Sequence, residues 1–120
     1  MISLALVVRS PQALKDFLQY AYEHWQPTPS HVFLVGNASF DPRNYLGLGQ
    51  ADFVPTQLVD TTFLETAWDD WLSDFDDMGR AQLAIGRLPV RTSAEADTII
   101  AKLVQYGQTS GPWQQKALLV

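Results

Sequence analysis

Two apolar runs bracket a well-signalled helix in the first third of the chain, and this limits what it can become. Ile2–Val8 is short and nearly continuously apolar, as a buried strand is. Ser10 and Pro11 then supply a helix cap and a proline at the first helical position. Leu14, Phe17, Leu18, Ala21 and Trp25 follow at helical spacing, which predicts an amphipathic helix over Pro11–His24, stopped by Pro27-Thr28-Pro29. Val32–Val35 is a second buried-strand run, ending at Gly36. The order repeats further on. Leu83–Ile85 leads into Gly86-Arg87-Leu88-Pro89-Val90. Thr92 and Glu95 form a capping box, Ala96, Ile99, Ile100 and Leu103 carry a helix to about Gly107, and Lys116–Val120 reads as a strand beginning. Strand, helix, strand, twice over, predicts an α/β fold with a mostly parallel sheet. Between the halves, Asn37–Gln50 reads as loop, and Phe53–Val59 as extended with Pro55 demoting it to an edge.

At 120 residues one domain is expected, with about two-thirds of the unfolded surface available for burial. Charge is unevenly placed. From Asn44 to Gly79 there are eight acids and no Lys or Arg, whereas the remainder has eight bases and five acids. So concentrated a negative field disfavours nucleic acid and suits cations or basic partners. There is no cysteine, which excludes disulfides, thiolate metal ligands and a cysteine nucleophile within these residues. Met1–Val8 has no basic flank or cleavage site and is too short to span a bilayer, so no membrane segment or targeting signal is read. A chain that stops within the apolar run KALLV gives the expectation of a fragment with an exposed strand edge, since natural C-termini are usually polar.

The chemistry-bearing candidates are few. Gly36-Asn37-Ala38-Ser39 follows a strand, where open α/β sheets place ligands, but it is neither a phosphate loop nor a nucleophile elbow. His24 and His31 lack metal-ligand spacing and read as structural. Arg87 follows a buried run in an acid-rich chain, and an ion pair with Asp69 or Asp70 is expected. The densest feature is WDDWLSDFDDMG, residues 68–79. Laid on a calcium loop, Asp74, Asp76 and Gly79 match, but Met78 takes the third ligand position and Ile85 that of the final acid. Trp68, Trp71, Leu72, Phe75 and Met78 also fall at helical spacing. Three readings stay open: a solvated acidic face, a weak calcium site through Asp74 and Asp76, and catalytic carboxylates.

The order of segments resembles the gingipain-like cysteine peptidases. The resemblance runs through SPQALKDFLQYAYEHWQP, VFLVGNASFDPRNYLG, FVPTQLVDTTFLETAWDDW, LAIGRLPVRTSAEADTIIAKLVQY and WQQKALLV, from about Ser10 to Val120. It implies a caspase-like α/β fold, three layers with a mostly parallel sheet flanked by helices, here incomplete. Residues 1–120 would be a single partial domain, the amino-terminal subdomain of a peptidase domain. Family members carry a histidine in a Gly-His-Gly context and a nucleophilic cysteine; neither His24 nor His31 matches, and no catalytic residue carries over. The implied partners are the remainder of the peptidase domain and, in the complete enzyme, a protein or peptide substrate. The implied location is secreted or at the cell surface. This chain departs from the family with Asn37 after Gly36, with Trp68 for a serine, and with Asp74-Phe75-Asp76-Asp77-Met78-Gly79 for Asp-x-Asp-Gly-Asp-Gly. In the family that stretch is extended and turn-like, which is the expectation adopted for WDDWLSDFDDMG, residues 68–79. The alternative is a stand-alone acidic module binding a divalent cation or a basic partner.

Overall fold

A computed structural model describes residues 10–49 and 52–116. The expected strands at Ile2–Val8 and past Lys116 lie outside the described residues. Helix α1 spans Pro11–His24, as the spacing predicts. The Ser10 hydroxyl accepts the Ala13 N–H at 3.1 Å, satisfying one of the amides that a helix start leaves without a partner. At the other end, the Trp25 N–H still reaches the Ala21 carbonyl, and the Trp25 ring stands edge-on to Phe17 with centroids 5.9 Å apart.

Strand β1, His31–Val35, and a later strand, Ala84–Leu88, form a parallel pair in which Val32 faces Ile85 and Leu34 faces Arg87. Side chains alternate across the sheet. Leu34 joins Leu18 of α1, Leu72 and Leu83 in the core, with Val32, Leu14, Phe17, Val54, Trp71, Phe75 and Ile85 packed around them. Phe33 and Val35 point the other way and remain 55% and 46% exposed. Among the described residues, one face of the sheet is therefore covered by α1 and the other only in part, where Leu88 opposite Val35 is buried.

Between the parallel strands lies a small antiparallel hairpin, β2 (Leu58–Asp60) and β3 (Glu65–Ala67), so Ala84–Leu88 is β4. The expected extended run Phe53–Val59 contracts to Leu58–Asp60, because Phe53 and Val54 bend to hydrogen-bond the Asn37 carbonyl. Next, Asp69–Ser73 winds as a short 3-10 helix that packs Leu72 and Trp71 against α1. The helical period of residues 68–78 fails at both ends: Trp68 and Met78 are exposed, and residues 74–79 form a turn. The expectation of a turn-like stretch holds for 74–79, whereas 69–73 is helical.

Helix α2 spans Ser93–Gln108. The Thr92 hydroxyl accepts the Glu95 N–H at 3.1 Å, as a capping box requires, but the Glu95 carboxylate reaches one residue further back, to the Arg91 N–H at 2.7 Å. None of its side chains is buried; Ile100, Leu103 and Val104 are about half exposed. The observed class is mixed α/β, a parallel strand pair with helices. Among the described residues, no helix is long and apolar enough to cross a membrane.

Candidate functional site

Open α/β sheets place ligands beyond the carboxyl ends of their strands. Here that end is organised by Arg87 of β4, whose side chain is 13% exposed. Its guanidinium has five N–H donors in a planar fork, and all five are used. Nε donates to Asp69 Oδ2 at 2.7 Å and Nη2 to Asp69 Oδ1 at 2.8 Å, a two-pronged ion pair. Nη1 donates to the carbonyls of Gly36 at 2.9 Å and Val54 at 2.7 Å, and Nη2 also to that of Pro55 at 3.3 Å. Arg87 thus ties the end of β1, the following loop and the 3-10 helix to β4. The expected pair is formed with Asp69 rather than Asp70, which is exposed.

The chain passes under this knot at Gly36, where φ is +147°. A Cβ there would lie 2.7 Å from Val54 Cγ2 and 3.0 Å from Phe53 Cβ, so a side chain is excluded by space and by backbone conformation together. Beyond it the loop is tied by its own acids and hydroxyls. The buried Asp41 accepts the N–H groups of Tyr45 at 2.9 Å and Leu46 at 2.7 Å, while Asp52 accepts that of Ser39 at 3.0 Å. A cavity of about 320 Å³ with a mixed lining opens beside the loop, with Ser10, Ser39, Arg43, Asp52 and Thr56 among its polar walls and Pro55 and Leu58 among its apolar ones.

Burial opposes the charge on Asp69, but hydrogen bonds from Arg87 and Thr56 and the Arg87 charge outweigh it, holding the carboxyl below its ordinary range. The folded state then keeps Asp69 ionised at pH values where the unfolded chain has already taken up a proton. Its contribution to stability is complete above the unfolded value of about 3.9 and is lost as pH falls through the lower folded value. Urea midpoints measured from pH 6 down to pH 2 should decline in that acid window. The Asp69→Asn variant should start lower and decline less.

In the acidic turn, Asp74 is 3% exposed. Its two oxygens accept the Met78 N–H at 3.1 Å and the Gly79 N–H at 2.9 Å. Asp76 is exposed; a hydrogen bond from the Gln82 side chain is the main influence drawing its carboxyl below the ordinary range, aided by the Met78 N–H and the Arg80 charge. Asp77 is held by Lys15 of α1, with Nζ–Oδ1 at 2.7 Å. Among the described residues, no group of three or more His, Cys, Asp or Glu side chains gathers where it could hold a metal ion.

The histidines stand away from this end of the sheet. His31 opens β1, contacting Ser30 through Nδ1 at 2.8 Å, and His24 closes α1 with Nδ1 2.9 Å from the Tyr20 carbonyl. A thiol nucleophile needs a thiolate with an imidazole in hydrogen-bond reach, and no thiol exists in the sequence. The arrangement is built for holding loops in place. Sequence reasoning missed Thr56, which donates to Asp69 at 2.7 Å, and Lys15; neither lies in a motif.

A family model described as peptidase family C25 matches residues 7–120. No curated protein and no solved structure matches the chain.

Proposed function

The chain belongs to peptidase family C25, the gingipain family, and from this we propose that it is the amino-terminal, dyad-free part of a cysteine peptidase domain. The observation that carries the reading is a match over residues 7–120 in a sequence with no cysteine. Covalent peptide hydrolysis in such an enzyme requires a thiolate and a neighbouring base, which this chain does not supply. Its share of the work is structural: a parallel strand pair, and a loop end pinned by Arg87.

In this reading the domain has the three-layer, caspase-like arrangement. α1 and the 3-10 helix pack on one face of the sheet. The start of α2 lies toward the other, where Val35, Phe53, Val90 and Ala96 line one groove. The half-exposed Phe33, Val35, Ile100, Leu103 and Val104 suit burial against the remainder of the peptidase domain, whose substrates are proteins or peptides. The test is direct. The purified 120-residue chain, incubated with a mixture of fluorogenic peptides under reducing conditions, should release no fluorophore above a buffer control. Turnover that survives inhibitors of contaminating proteases would overturn the proposal.

A further inference from the structure

The turn Asp74–Gly79 keeps half of a calcium loop's side-chain pattern, yet its carboxylates are directed at protein donors. Calcium takes six to eight oxygen ligands. Both oxygens of the buried Asp74 instead face backbone amides, and the left-handed backbone at Asp77 (φ 52°) and Gly79 (φ 74°) lies in the segment that brings those N–H groups inward. Asp76 receives the Met78 N–H at 3.2 Å and has Arg80 at 3.8 Å. The buried positive charge at the turn comes from α1. Lys15 is a buried lysine, 5% exposed, with its ammonium 2.7 Å from Asp77 and 4.2 Å from the centroid of the Trp71 ring. A buried ammonium is costly without a counter-charge, and the ring face and the carboxylate together supply what it has lost from water.

We propose that the Asp74–Gly79 turn is a calcium-independent clasp in which Lys15 is the built-in cation, joining the turn to α1 through Asp77 and Trp71. The residues present do not fit a calcium ion: the donor set that would face one is committed to amides and to an internal ammonium. The clasp is asymmetric. Asp77 is 79% exposed at its side chain and Lys15 7%, so losing Asp77 strands a buried charge, while losing Lys15 frees a carboxylate to water.

The experiment is thermal unfolding of the whole chain in calcium chloride and in EGTA, for wild type, Lys15→Met, Asp77→Asn and the double variant. Asparagine tolerates the left-handed conformation at position 77, so Asp77→Asn removes chiefly the charge. Wild type should melt at the same temperature with calcium and with EGTA. Asp77→Asn should lower Tm by roughly 3–8 °C. The double variant should lie above the sum of the single losses, because the residues act as a pair. A wild-type Tm that climbs with calcium concentration, as linkage to a bound ion demands, would overturn the proposal. So would strictly additive losses, or an Asp77→Asn chain as stable as wild type. Should Lys15→Met not fold, Asp77→Asn and the calcium series decide the matter alone.

Discussion

Arg87→Met is expected to lower the free energy of unfolding by about 3–5 kcal/mol, the cost of breaking a buried ion pair by removing one partner. Methionine keeps much of the side-chain length and packing, so the loss reports the charge and the five donors. Asp69 would be left partly buried with Thr56 its remaining side-chain donor among the described residues, and the carbonyls of Gly36, Val54 and Pro55 would lose their shared partner. Chemical denaturation measures the effect. Arg87→Lys should recover little of it, because an ammonium is a point charge that cannot span two carboxylate oxygens and three carbonyls at once. Unchanged stability in Arg87→Met would show that the knot at the carboxyl end of the sheet is ornamental.

Leu72→Ala should cost about 2–5 kcal/mol, the range for truncating a buried leucine in a core that relaxes only in part. Leu72 is 0% exposed, and it joins Leu18, Leu34 and Leu83 from three other segments. The informative comparison is Leu103→Ala on α2, half exposed, which should fall within about 0.5 kcal/mol of wild type. Equal losses at the two sites would mean that α2 is buried and that the sheet is covered on both faces. The pair of variants, followed by urea titration, therefore locates the core as well as weighing it.

These expectations rest on features of unequal legibility. The limits of α1 were readable because Ser10, Pro11 and the apolar spacing all state the same boundary. β1 was readable as an apolar run ending at Gly36, and β4 in part, as the run Leu83–Ile85, which the strand extends through Arg87 to Leu88. The partnership of Arg87 with an acid of the 69–70 pair was readable from charge, but the choice of Asp69 depends on a 3-10 turn that presents one aspartate inward and leaves the other in water. Strand β3 was not readable. Glu-Thr-Ala is short and exposed at all three residues, and it is a strand only because β2 offers it a partner. Nor was the role of Lys15. On a helical wheel it is an ordinary lysine, and its counter-charge lies 62 residues later in the chain. The calcium-like pattern of Asp74 and Asp76 was readable, but the amides those carboxylates serve were not, since a ligand motif records only which side chains are present.

The position of Arg87 in the order of synthesis has a consequence. Every group it binds, at residues 36, 54, 55 and 69, leaves the ribosome before it does. At about 5–20 residues per second, the growing chain spends roughly one to four seconds between adding Asp69 and adding Arg87. During that interval α1 can form from local contacts and Lys15 can engage Asp77, while Asp69 and the carbonyls of Gly36, Val54 and Pro55 wait for the guanidinium that joins them. The nascent chain is thus committed to a late closure, and the carboxyl end of the sheet is fastened last by the residue that arrives last.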